Sequence, residues 1–148
     1  MNLQVIGIIG SFSILFLGSI SDLRTKGIPV YLLIAGNLGG LLCFLCRYYQ
    51  ELTGITMMIE LVGSILPGMG LFLLSFLTGR KIGAGDGLIL MSVGMFESGR
   101  MTWATLCSGL FLQSVFAILL LVLKKAKRDT RIPFVPFLLA GRIILLFL

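Results

Sequence analysis

The sequence predicts an all-α integral membrane protein, a single transmembrane domain over residues 1–148 with six spanning helices. Composition, long uncharged runs and the placement of the basic residues point there. Hydrophobic residues make up 57% and charged residues 12%, with a mean hydropathy of +1.08. Soluble domains carry about a quarter charged residues. A net charge of +6 would suit a nucleic-acid binder, but here the basic residues gather between apolar runs, as they do in cytoplasmic loops. The partner this implies is the lipid bilayer, with no nucleic acid.

The first run, Leu3 to Ile20, has no charge over eighteen residues, enough to span a slightly thinned bilayer. Gly7 and Ser11 give it a small-x-x-x-small face for close helix approach. A short polar hairpin, Ser21 to Gly27, follows. Pro29 suits the first turn of the next helix, where its missing N–H costs nothing. That helix runs from about Ile28 to Cys46, with Gly36 and Gly40 repeating the small-residue spacing. After a polar loop from Arg47 to Thr53, the third run, Ile55 to Gly79, holds Glu60 near its start. Pro67, Gly68 and Gly70 predict a kink at its middle. The fourth run is short, from Ile82 to Phe96. A small loop from Glu97 to Arg100 leads to the uncharged span Met101 to Leu123. Next comes the basic block Lys124 to Arg131, then a last short span, Ile132 to Leu148, with Pro133, Pro136 and Arg142.

The first, third and fifth loops hold Arg24, Lys26, Arg80, Lys81 and the block from Lys124 to Arg131, whereas the second and fourth hold only Arg47 and Arg100. Positive-inside bias therefore puts both termini outside and the basic loops in the cytoplasm. The opening Met-Asn-Leu-Gln lacks the basic region of a secretory signal, which predicts a retained first helix.

The chain contains no histidine. That removes His-Glu-x-x-His zinc sites, Ser-His dyads and Cys-His pairs. Hydrolytic chemistry is left to carboxylates, or to Ser or Cys with Lys. Cys43 and Cys46 form a C-x-x-C inside an uncharged run with no second pair, and read as small apolar filler. No metal and no cofactor are expected.

The chemistry-bearing stretch is Arg80-Lys81-Ile82-Gly83-Ala84-Gly85-Asp86-Gly87. Only fifteen residues separate Lys81 from Glu97, about 22 Å of helix against a hydrocarbon core of roughly 30 Å. A spanning fourth segment therefore carries Asp86 into the membrane boundary, where an ionisable group is expensive and its presence points to function. Asp22 lies sixty-four residues earlier but at the same expected depth, on the cytoplasmic side. Two carboxyls in a poorly hydrated site share a proton and titrate as a pair. One then activates a water while the other hydrogen-bonds the scissile carbonyl. Helix ends favour Asp86 as the anion and Asp22 as the protonated partner, although Arg24 and Lys26 oppose that assignment. Gly83 and Gly85 are expected to let a substrate backbone and a water approach Asp86, and to tolerate positive φ.

Three segments resemble the type IV prepilin peptidase family of membrane aspartic proteases, which includes the preflagellin peptidases. Asp22-Leu23-Arg24 followed by Ile28-Pro29 is similar to that family's first-Asp segment. Gly83-Ala84-Gly85-Asp86 matches its G-x-G-D motif. Pro133-Phe134-Val135-Pro136-Phe137 resembles the turn opening its last helix. Val30 and Leu88 depart from the residues the family often has there, Asn and Lys. The larger members carry a cytoplasmic domain with cysteine pairs, associated with N-methylation, and nothing here corresponds to it.

The resemblance implies an aspartic endopeptidase with Asp22 and Asp86 as its catalytic pair. It implies a pilin-like precursor as substrate, cleaved after a short basic leader just before a hydrophobic helix, at the cytoplasmic membrane of a bacterium or archaeon. Two other readings stand beside it. One is a small transporter or channel using Asp86 as an ion or proton site; the other is a catalytically inactive assembly subunit.

The remaining polar residues have expected roles of their own. Glu60 reads as interfacial, and Arg142 as snorkelling outward. Asn37 and Gln113 read as interhelical hydrogen-bond glue. The basic block could also attract anionic lipid headgroups. Trp103 and the pair Tyr48-Tyr49 fall near the outer ends of their spans, as an aromatic belt would.

Overall fold

The computed structural model describes residues 3–25, 27–49, 54–78, 83–123 and 132–147. It is all-helical, as expected. In chain order the helices are α1 (Leu3–Thr25), α2 (Val30–Tyr48), α3 (Gly54–Leu77), α4 (Ala84–Phe96), α5 (Gly99–Val122) and α6 (Val135–Phe147). Among the described residues α1, α2, α3 and α5 are long and apolar enough to cross a membrane, while α4 and α6 have thirteen residues each. The chain is thus a multi-pass membrane protein. Lys26, Arg80, Lys81 and the basic block Lys124 to Arg131, on which the sidedness expectation rests, lie outside the described residues.

The shortest apolar run of the sequence is the centre of the fold. Helix α4 packs against α1, α2, α3 and α5. It has no polar face to give to solvent, and Ile89, Leu90 and Val93 are fully buried. A helix apolar all round belongs inside a bundle. Helix α6 closes the other side against α1 and α5.

Close packing on α4 requires residues without side chains. A Cβ on Gly87 would lie 2.7 Å from the Gly68 carbonyl oxygen and 2.7 Å from the Phe72 amide. Here α3 and α4 touch backbone to backbone, directly after Pro67, which α3 carries without ending. A Cβ on Gly94 would collide with the Ser64 carbonyl oxygen. Such approaches drive helix association where lipid removes any hydrophobic difference between interface and surroundings.

The polarity runs inside-out. Ser11, Ser64, Ser75, Ser92, Thr102 and Thr105 are buried, whereas Phe111, Val122, Ile55 and Leu77 are exposed. Several of these hydroxyls bond within their own helix: Ser92 donates to the Leu88 carbonyl at 3.0 Å, Thr102 to Ser98 and Thr105 to Met101, each at 2.8 Å. Asn37 donates to Leu33 in its own helix at 2.8 Å and to Leu88 of α4 at 3.3 Å. It is the interhelical glue its position suggested.

Two boundaries differ from expectation. Helix α1 continues through Ser21 to Thr25, so the expected polar hairpin is mostly a last helical turn. The chain can do this because Thr25 Oγ1 and Ser21 Oγ both donate to the Gly27 carbonyl, at 2.9 and 3.1 Å, folding the exit back onto the helix end. Pro29 stands just before α2 as its N-cap, at φ −67° and ψ 138°. Cys43 is packed in the core while Cys46 and Cys107 are exposed, all three as free thiols. Cys43 therefore fills space, as read from the sequence.

Candidate active site

Helices α1 and α4 run antiparallel in a fixed register. A Cβ on Gly18 would meet Ile89, and one on Gly10 would meet the Phe96 ring. Continuing that register one turn beyond Gly18 and Ile89 brings Asp22 level with Asp86. Both are buried, 6% and 8% exposed. The two acids sit on different helices at the same end of the bundle.

Asp22 occupies the last turns of α1. Its Oδ2 accepts a hydrogen bond from the Val135 amide at 3.3 Å, and the Phe134 backbone acts on the same carboxyl. Val135 is the first residue of α6. The Pro-Phe-Val-Pro-Phe segment thus starts a helix whose free N-terminal amides face Asp22. A helix supplies such unpaired N–H groups, and a favourable dipole end, only in its first turn. Asp22 is therefore at a C-terminus in sequence and at a helix N-terminus in space.

Asp86 lies in the first turn of α4, its amide donating to the Gly83 carbonyl at 3.1 Å. Gly83 is the N-cap, at φ −66° and ψ 118°. Neither it nor Gly85 takes up a left-handed backbone, so the tolerance of positive φ is not used here. What the turn requires is room. A Cβ on Gly83 would sit 2.9 Å from Asp86 Oδ2, and one on Gly85 would sit 3.0 Å from Ile28 Cδ1. Gly83, which is exposed, leaves space for the folded-back carboxyl. Gly85 is filled from behind by Ile28, so the isoleucine of the Ile-Pro pair seats the opening turn of α4.

The opposite end of α4 holds a constellation that the sequence reading missed. Glu97 and Arg142 are buried, 6% and 4% exposed. Arg142 bridges Glu97 through Nη2–Oε2 at 2.6 Å and Nε–Oε1 at 3.0 Å. Ser11 of α1 donates to the same carboxylate. Arg47 of α2 donates both terminal nitrogens to the Phe96 and Glu97 carbonyl oxygens. Arg142 therefore does not snorkel. It turns inward because a carboxylate is buried within reach, and its guanidinium also lies 5.4 Å from the centre of the Phe12 ring. An unpaired polar residue at Arg142, deep in an apolar span, was the one signal that a partner was needed.

A shallow groove of about 270 Å³ runs between α1 and α2, lined by Leu17, Ser21, Arg24 and Tyr31 among others. Neither Asp lines it.

The fold and this site define the class: a multi-pass helical membrane protein with two acids brought together at one end of a tightly packed bundle. The chain belongs to the type IV leader peptidase family, whose profile matches residues 9–122. It is thus a protease of the prepilin leader peptidase kind, acting on a precursor protein. Asp22, Gly83, Gly85 and Asp86 fall inside the matched region; the α6 turn that holds Asp22 lies beyond it. No curated protein and no solved structure matches the chain.

Proposed function

We propose that this chain is an aspartic endopeptidase that removes the basic leader of pilin-like precursors at the cytoplasmic face of the membrane, using Asp22 and Asp86. The observation that carries the reading is the register of α1 and α4, which puts two buried carboxyls from distant segments level with each other where α1 ends and α4 begins. Family membership supports leader cleavage. The absence of histidine from the sequence leaves a carboxyl pair as the simplest means of activating water.

The roles follow from the hydrogen bonding. An amide donor aimed at a carboxyl favours its charged form. Asp22, which accepts from Val135, is assigned as the base. This reverses the assignment drawn from helix ends in the sequence, because α6 brings a second helix end to Asp22. In the step proposed, Asp22 takes a proton from water as its oxygen attacks the scissile carbonyl carbon. Asp86 donates its proton to the carbonyl oxygen. When the C–N bond breaks, the amine leaves with a proton returned from the pair. Gly83 keeps the approach to Asp86 open.

The basic loops assign this end of the bundle to the cytoplasm, in the cytoplasmic membrane of a bacterium or archaeon. A leader held there by its positive charge places the bond before the substrate's hydrophobic helix at the depth of the pair.

The test is co-expression of the chain with candidate precursors from its own genome, following leader loss on a gel. Cleavage is expected. A wild-type chain that inserts and cleaves none of them, with Asp86 variants altering an ion flux instead, would establish the transporter reading.

Two further outcomes probe the parts of the site. Gly83→Ala is expected to keep the fold but push the Asp86 carboxyl aside, since the new Cβ would lie 2.9 Å from Oδ2. A misplacement of that kind lowers kcat by about tenfold or more, readable in a precursor-cleavage assay. Val135→Pro deletes the amide that serves Asp22 at the first position of α6, where proline is tolerated. A fall in kcat of about tenfold is expected for the loss of a hydrogen bond to a charged group. Unchanged cleavage would remove α6 from the mechanism.

A further inference from the structure

The polar cluster at the far end of α4 serves no step of the cleavage chemistry, and its position explains why it exists. Helix α4 has thirteen residues, about 20 Å of length against roughly 30 Å of hydrocarbon. With Asp86 at one boundary, its other end stops inside the apolar layer. There a helix terminus leaves carbonyls unpaired and Glu97 leaves a charge, both costly without partners. The flanking helices answer the last of these carbonyls and the charge: Arg47 caps the Phe96 and Glu97 carbonyls, and Arg142 and Ser11 take the carboxylate.

We propose that Glu97, Arg142 and Arg47 are positioning residues, an ionic clamp that fixes how deep α4 sits and so holds Asp86 level with Asp22. The proposal rests on the dyad reading given above for the part of its test that measures cleavage. The geometry that carries it is a matched spacing. From Asp22 back to Ser11 is eleven residues of α1, and from Asp86 on to Glu97 is eleven residues of α4, about 16 Å along each helix. In two antiparallel helices, the Ser11–Glu97 contact and the Asp22–Asp86 pairing are the two ends of one register. Close glycine contacts, such as Gly18 against Ile89 and Gly94 against the Ser64 carbonyl oxygen, already favour one register, and the polar cluster adds a directional constraint at the far end of α4. A buried ion pair has a single satisfied arrangement and a high cost for any other, which is its best-attested use.

An engineered cysteine pair reads the register without reference to activity. The Cβ of a residue replacing Gly36 would lie 3.4 Å from the Ser92 Cβ, close to disulfide geometry. Gly36→Cys with Ser92→Cys, in a chain whose Cys43, Cys46 and Cys107 are changed to alanine, is expected to close rapidly on oxidation and to retain cleavage. In that background Glu97→Gln and Arg47→Met are each expected to slow closure about tenfold. Each should lower kcat about tenfold to a hundredfold with KM within about twofold, as for a misplaced catalytic group. Closing the disulfide in the Glu97→Gln chain is expected to return kcat to that of the closed parent, which a general loss of folding would not allow.

Where a single variant fails to insert, Glu97→Met with Arg142→Met carries the test, because it removes both members of the buried ion pair together and leaves Arg47 on its two backbone carbonyls. It is expected to insert, to close slowly and to cleave slowly. Normal closure and cleavage in that double variant would overturn the clamp. So would its failure to insert, or lost cleavage with unaltered closure in Glu97→Gln. Should the parent cleave no precursor at all, the peptidase reading fails and the closure rates alone decide the clamp.

Discussion

Asp86→Asn is expected to abolish leader removal, by about a thousandfold or more, while the protein still inserts and packs. The reason is chemical, since an amide neither donates a labile proton to a carbonyl oxygen nor shares one with Asp22. Asp22→Asn is expected to match it. The double variant should be no worse than either single one, because residues acting as one unit show non-additive losses. Precursor cleavage in membranes, quantified as kcat/KM with insertion checked separately, measures all three. Independent, multiplying losses would mean that the two acids do not act as a pair. Their burial on neighbouring helices would then be only a matter of packing.

Gly94→Val is expected to have the largest structural effect of any single change. The position faces the Ser64 backbone so closely that a Cβ has nowhere to go but into the carbonyl oxygen, with the Thr102 hydroxyl only 3.1 Å away. Backbone on α3 cannot rotate aside as a side chain can, so α3 and α4 must separate. Overpacking of this kind costs about 3 kcal/mol, and here it strikes the central helix. Thermal unfolding in detergent, or resistance to protease in membranes, should show the loss. Gly70→Val on α3 is the matched control: a Cβ there meets nothing within 4 Å, and stability should be unchanged. A stable Gly94→Val chain would show that the α3–α4 contact is looser than described.

Much of this was legible in the sequence because membranes impose simple constraints. Uncharged runs of the necessary length marked the long helices, and the carboxylate beside Gly83 and Gly85 stood out where hydrocarbon was expected. Pairing Asp22 with Asp86 needed only a shared depth. The rest was hidden because it depends on which helices touch. Helix ends in sequence and the hydrogen bonding of Asp22 lead to opposite roles for the two acids, since nothing in the order of residues shows that α6 begins beside Asp22. Arg142 was read as a lone cation near a terminus because its partner, Glu97, lies forty-five residues away in what looked like a surface loop. The glycines were credited with backbone freedom that neither Gly83 nor Gly85 uses. Their service is to make room, for the Asp86 carboxyl in one case and for Ile28 in the other.

The last helix supplies a group to each end of the site. The amide facing Asp22 and the guanidinium facing Glu97 both belong to α6, which follows α1 to α5 in the chain. A nascent chain that has delivered α1 through α5 has both acids in the bilayer, but neither the donor that orients one nor the counter-ion that seats the helix of the other. On the two-acid reading proposed above, the centre is complete only once α6 has packed against α1 and α5.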